Sequence, residues 1–278
     1  MHNPFVPETL EGWSVLHLMF RVDWARIRRL SEPERQRLAD AAVSTIAATV
    51  NGPDEGATGF VQLLGHKGDL MIVAFRQSFD ELGRLQLALA NTELHQRLLP
   101  TASYLSIVEL GMYEMTAKIH RQLAEQGLAH GTDAYDAAFD EEMARQHGRV
   151  ASRLFIGLPE ARYVCFYPMN KRRGEALNWY TEGFQRRAEM MLEHGKIGRE
   201  YAGKLTQIIS GSIGLDDWEW GVDLFAHDPV TFKKLIYEMR FDEASAKFAE
   251  FGPFYVGLQF PAAELGRFLA GQLPARRG

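Results

Sequence analysis

The chain has 278 residues, 46% hydrophobic and 24% charged, with a formal net charge of −5. That length supports a real core in one large or two small domains, and the balance excludes a disordered or fibrous chain. With no long block of one charge, nucleic acid or an anionic membrane is not expected as the main partner.

No apolar run reaches the roughly 18–20 residues of a membrane span. The start, MHNPFVPETLEGW, lacks a basic region followed by an apolar one, so no secretory leader and a cytoplasmic location are expected. The one cysteine, Cys165, rules out an internal disulfide, a thiolate zinc site and covalent haem attachment through Cys-x-x-Cys-His.

From Trp13, WSVLHLMFRVD reads as a strand. Ser31 as N-cap, Pro33 in the first turn and Glu34 three residues on open a helix through RQRLADAAVSTIAATV. TGFVQLLGHKG and DLMIVAFRQ, two apolar runs around a Gly-containing turn, predict a hairpin. Ser78 and Asp80 start the helix SFDELGRLQLALANTEL, and YLSIVELGMYEM closes the half as a strand.

Residues 116–160 mix helical patches with polar stretches, and a connection this long is either functional or mobile. Beyond it the order of elements repeats. ARYVCFYPMNKRR is a strand and ALNWYTEGFQRRAEMMLEHGKIGREY a helix. KLTQIISGSIG and DWEWGVDLFAH form a hairpin around Gly214. Asp228 and Pro229 open a single helix through DPVTFKKLIYEMRFDEASAKFAEF, and PFYVGLQF is the last strand.

The element order gives an α+β fold class of two tandem ferredoxin-like (βαββαβ) units, and tandem units of this kind can join their sheets into a dimeric α/β-barrel-like protomer, an expectation about packing that periodicity does not itself show. The halves are residues 1–115 and 161–278, with 116–160 connecting them and the second half carrying the site.

His194 lies near the end of a helical run, where a lone histidine is ordinarily a surface or hydrogen-bonded residue. With no partner at i+4 it does not suggest zinc, whereas a single axial imidazole suits iron already held by a porphyrin. Gly195 and Gly198 let the backbone approach a flat ring, or Gly195 simply ends the helix.

In FYPMNKRR, Tyr163, Cys165 and Tyr167 alternate onto one side of a strand. Pro168 is expected to end regular pairing and leave Tyr167 and Lys171 at an open strand mouth. There a tyrosine is usually half-buried packing and a Lys-Arg-Arg run solvated surface, yet a phenol with three cations also suits a ligand bearing several carboxylates. The remaining histidines form no cluster and receive no role.

These segments together resemble the coproheme decarboxylases of the chlorite dismutase superfamily. The resemblance begins at ETLEGWSVLHLMFRVDW. It is strongest from FYPMNKRRGEALNWY through HGKIGREYAGKLTQIISGSIGLDDWEWGVDLFAHDP to FKKLIYEMRFDEASAKFAEFGPFYVG. It implies the tandem ferredoxin-like fold, usually as a homopentamer. The implied reaction takes two propionates of Fe-coproporphyrin III (coproheme) to vinyl groups at the expense of hydrogen peroxide, giving haem b. The substrate is thus also the redox cofactor, and a transient contact with ferrochelatase is implied.

By the same resemblance His194 is the iron ligand, Tyr167 the radical-forming tyrosine and Lys171 the lysine that holds a propionate and assists proton transfer. Arg153 and Ser245 match propionate-binding residues, and Met169 would pack on the porphyrin edge. Gln207 stands where chlorite dismutases place an arginine over the open face of the iron. A glutamine brings no positive charge, which favours the decarboxylase over chlorite breakdown. Phe155 replaces a tyrosine that contacts a propionate in many relatives, and Tyr135 is a candidate in the variable linker. The competing readings are a chlorite dismutase-like haem peroxidase and a non-catalytic haem-binding protein.

Overall fold

The computed structural model describes residues 6–50, 52 and 54–275; the first five residues of the segment read for a leader lie outside them. The first half runs β1 (Thr9–Val22), α1 (Trp24–Arg28), α2 (Glu32–Ala47), β2 (Gly56–Leu63), β3 (Leu70–Arg76), α3 (Phe79–Ala90) and β4 (Leu98–Gly111). The connection is helical, α4 (Tyr113–Glu125) and α5 (Asp133–Leu154). There follow β5 (Tyr163–Lys171), α6 (Phe184–Glu200), β6 (Leu205–Gly211) and β7 (Trp220–Ala226). The chain closes with α7 (Val230–Met239), α8 (Glu243–Phe248), β8 (Ala249–Phe251), β9 (Tyr255–Phe260) and α9 (Leu265–Leu269). Among the described residues no helix is long and apolar enough to cross a membrane.

Local chemistry starts the helices where the sequence predicts. The Ser31 N–H donates to the Glu34 carboxylate (2.7 Å), and the Ser78 hydroxyl accepts from Glu81 N (3.3 Å). The two halves use one strand order, β4-β1-β3-β2 and β9-β5-β7-β6, all antiparallel. Pairing of β2 with β9 and of β4 with β6 joins them, so the sheet closes on itself, with β8 extending beside the end of β5. Closure removes the open sheet edges that either half would leave by itself.

Alternation along each strand then divides the side chains between two environments. Val15, Met19, Val73, Phe75, Val164, Phe166 and Phe225 fill the barrel. Leu16, Leu18 and Ile72 face outward under α2, α3 and α9. Cys165, Tyr167, Val222 and Leu224 face outward under Phe232, Leu235 and Met239 of α7. It is this last layer, the outer face of the second half, that positions the candidate site.

Several boundaries differ from the sequence reading. MYEM is not strand: Tyr113 opens α4, which packs against α6. The helix expected from Ala176 starts at Phe184, after a single turn at Trp179–Thr181. The single helix expected after Asp228 breaks between Met239 and Glu243, and Asp242 caps the second piece.

Candidate functional site

Tyr163, Cys165 and Tyr167 do face one side of β5, and Met169 joins their cluster. Pro168, however, does not end the pairing. The strand continues to Lys171 on β7 and β8, and Pro168 sits at the break between β9 and β8, where a missing N–H leaves no acceptor stranded. Its carbonyl accepts from Gly252 N at 2.8 Å.

The expected open mouth is therefore closed. Tyr167 is only 3% exposed, with its ring stacked on Phe254 at 4.6 Å, and burial pushes its phenol far above the ordinary value. Lys171 is buried as well. Its Nζ donates to the Ala244 carbonyl (3.3 Å) and lies 4.4 Å from the centre of the Trp179 ring. Burial lowers the Lys171 pKa to about 8, opposed by the nearby charges of Asp242 and Glu219.

Opposite this row, α6 presents His194. Its Nδ1 meets Asp242 Oδ2 at 2.9 Å and the Ser245 hydroxyl at 3.3 Å. The break between α7 and α8 puts Asp242 there. As N-cap of α8 it accepts Ser245 N on Oδ1 (2.8 Å) and keeps Oδ2 for His194 and the Ser245 hydroxyl (3.0 Å). Burial opposes the charge of Asp242, but the hydrogen bonds from His194 and Ser245 hold its pKa below the usual value.

A carboxylate on Nδ1 makes that nitrogen the donor and leaves Nε2 as the acceptor, the arrangement of a metal-ligating histidine. Among the described residues no group of three or more His, Cys, Asp or Glu could hold a metal ion. A single imidazole with Nε2 free to accept could hold a metal that arrives with its other ligands, as porphyrin iron does. Ile197, one turn on from His194, packs in the cluster of Tyr167, so one face of α6 serves both.

The glycines beside His194 do not end the helix, which continues to Glu200. A methyl group at Gly198 would meet Met239 of α7 at an ordinary 3.6 Å, so that position faces a neighbouring helix.

Other predicted residues are distributed unevenly. Gln207 pairs with Leu224 on the same outer face, two strands from β5, or about 10 Å across the sheet. Arg153 lies on the exposed last turn of α5, and among the described residues no hydrogen bond or ion pair joins it to His194, Lys171 or Ser245. Phe155 packs edge-on against Trp13 at 5.2 Å. Tyr135 is buried in the α4–α5 hairpin, bonded to His120. A cavity of about 250 Å³ opens beside α6 and α8, lined by Leu177, Glu182, Arg186, Met190, Glu243, Lys247 and Phe248.

Sequence reasoning missed three residues. Asp242 was legible as a cap, since Asp-x-x-Ser opens helices, but its link to His194 spans 48 residues. Trp179, under the Lys171 ammonium, carried no signal. Nor did Glu219, whose Oε2 accepts Lys171 N (2.7 Å) and whose other oxygen lies 3.6 Å from Arg173.

Residues 35–260 match the family model described as chlorite dismutase. Coproheme decarboxylases of Staphylococcus saprophyticus and Staphylococcus carnosus are 41% and 40% identical, over 91% and 94% of this chain and 94% and 97% of theirs. A Natronomonas pharaonis protein named as a heme-binding candidate is 42% identical over 96% of this chain, which spans 42% of that relative's length.

A solved heme-binding protein of Thermus thermophilus superposes with a TM-score of 0.78 at 38% identity, over 97% of this chain and all of that one. A chlorite dismutase of Candidatus Nitrospira defluvii, at a TM-score of 0.69 and 15% identity over 94% of this chain and 97% of its own, shares the fold. A match across most of the chain, on a barrel built in the same way, leaves one assignment: the chain belongs to the chlorite dismutase family.

Proposed function

We propose that this chain is a coproheme decarboxylase, which binds Fe-coproporphyrin III and converts two of its four propionates to vinyl groups, releasing haem b. The observation that carries the reading is the pairing of two faces. The buried Tyr167 phenol and Lys171 ammonium lie four residues apart on β5, and Asp242, which holds His194, is also one of the charges near Lys171. The staphylococcal relatives named coproheme decarboxylases support it.

Bound iron, with hydrogen peroxide, supplies the oxidant. For each propionate one peroxide and one proton become two waters, while the side chain loses one hydrogen and carbon dioxide. His194 binds iron through Nε2, and Asp242 fixes the ring's orientation. Tyr167 gives up its phenolic hydrogen and recovers one from the propionate carbon nearest it. Its burial keeps solvent away from the step and makes position the selector. Lys171 pairs with a carboxylate and supplies a proton, for which a pKa near neutrality suits it.

Ser245 has a single O–H, now given to Asp242, so it would reach a second propionate by turning that hydroxyl. Met169 packs against the porphyrin edge and Gln207 orients peroxide. Arg153 takes a further propionate on the strength of the resemblance alone. On the same ground we place the protein in the cytoplasm, as a homopentamer with transient contact to ferrochelatase.

The deciding experiment adds iron coproporphyrin III to purified protein, titrates with hydrogen peroxide and follows products by mass spectrometry. Stepwise loss of two carboxyl groups is expected. Tight binding followed by bleaching without decarboxylation would overturn the proposal, and oxygen release from chlorite would move the chain to the other activity of its family.

A further inference from the structure

We propose that a chain of aromatic side chains leads oxidising equivalents out of the Lys171 end of the site to a tyrosine–histidine pair, Tyr135 and His120, in the α4–α5 hairpin. This rests on the reading that peroxide is used at the His194 site. The path begins at Trp179, fully buried between the Lys171 ammonium and Phe248, whose ring is 5.3 Å away and one turn of α8 beyond Ser245. Trp179 lies 6.3 Å, centre to centre, from Tyr113, with the two rings edge to face. Tyr113 is 6.1 Å from Phe184, and Phe184 is 6.4 Å from His120. His120 stacks on Tyr135 at 6.1 Å and its Nδ1 bonds the Tyr135 hydroxyl. Ring follows ring from the site to the linker, over the about 10 Å of α4 that separates Tyr113 from His120.

What fixes the end of the path is where a proton can go. An oxidised phenol is a strong acid, so a tyrosine holds the oxidising equivalent only beside a base. The Arg187 guanidinium lies over the Tyr113 ring at 5.9 Å, and a cation there disfavours a second positive charge, so Tyr113 passes an electron without keeping the hole. Tyr135 faces an imidazole nitrogen that accepts when His120 carries its proton on Nε2. The step balances as follows: Tyr135 loses one electron through Tyr113 and Trp179, the oxidised site is reduced by one equivalent, and the phenolic proton moves to His120 Nδ1. Over two such turns two low-molecular-weight thiolates each give one electron to the Tyr135 phenoxyl and couple as a disulfide, and each time the proton on His120 returns to Tyr135. Such a route drains the site whenever Tyr167 finds no propionate in reach.

The test uses coproheme-loaded protein, equimolar peroxide, freeze-quenched electron paramagnetic resonance and peptide mapping of oxidised tyrosine. In Tyr167→Phe, where the productive step is blocked, a tyrosyl signal and oxidised Tyr135 are expected. Adding Tyr113→Phe should cut both several-fold with the coproheme titration unchanged, and Trp179→Phe gives a second block should that variant misfold. Undiminished oxidation of Tyr135 in both blocked variants, or none in Tyr167→Phe itself, would overturn the route. Failure of the unmodified protein to bind coproheme, read separately from the titration, would overturn the underlying reading and the route with it.

Discussion

Lys171 is a cation held in an apolar wall, and the pH dependence of stability should report it. Its pKa of about 8 lies below the ordinary value of 10.5, so between those values the unfolded chain binds more protons than the folded one. Stability from this group therefore rises with pH across that window and is lowest below it. We expect ligand-free Lys171→Met to be more stable at pH 7 by on the order of 2–3 kcal/mol and to lack that rise, as measured by urea unfolding at several pH values. For Tyr167, removing one oxygen should leave packing intact. Tyr167→Phe is expected to bind coproheme as the unmodified protein does and to form no vinyl product; full decarboxylation by this variant would end the radical assignment.

The break between α7 and α8 makes one residue serve two purposes. Asp242 caps α8 with one oxygen and holds His194 with the other. Asp242→Ala should lose both and cost about 1–2 kcal/mol, a fall in melting temperature. Asp242→Asn keeps a capping oxygen and most of that stability, but replaces the carboxylate behind His194 with an amide. Its coproheme complex should therefore show a shifted Soret band. An Asn variant with both stability and spectrum unchanged would separate Asp242 from the iron ligand. Elsewhere a glycine lets an element's end come close to a strand. Leu154, the last residue of α5, lies so close to β1 that a methyl group at Gly12 would come within 2.1 Å of its carbonyl.

Closing the barrel depends on contacts between residues far apart in the chain. His17 of β1 and Asp223 of β7 meet inside it at 3.0 Å, both almost wholly buried and 206 residues apart. Phe166 of β5 stacks on the imidazole at 4.0 Å. Removing one member should strand the other, so Asp223→Ala is expected to cost about 3–5 kcal/mol. Leucine at both positions should recover most of that loss, and the pair of unfolding curves checks it. At the seam of the two halves, Gly257 of β9 runs so close to β2 that an added methyl would come within 2.2 Å of the Gln62 carbonyl. Gly257→Ala is expected to open the β2–β9 pairing and lower the melting temperature, with exchange of the amide protons of β2 as the local readout.

Much of this protein was legible in its sequence because much of it is local. Alternation placed Tyr163, Cys165 and Tyr167 on one face, and capping chemistry at Ser31 and Ser78 started α2 and α3. The repeated order of elements suggested two similar halves. The tertiary structure alone decided what lies against those elements. It buried Tyr167 and Lys171 where a strand's mouth was expected, because β5 stays paired through Pro168 to Lys171 and Phe254 stacks on the Tyr167 ring. It brought Asp242 to His194 and Asp223 to His17, and it paired Tyr135 with His120 in the α4–α5 hairpin. Periodicity and caps act over a few residues and can be read along the chain. A hydrogen bond between residues 48 or 206 positions apart exists only once the sheet has closed and a buried polar group must find its partner.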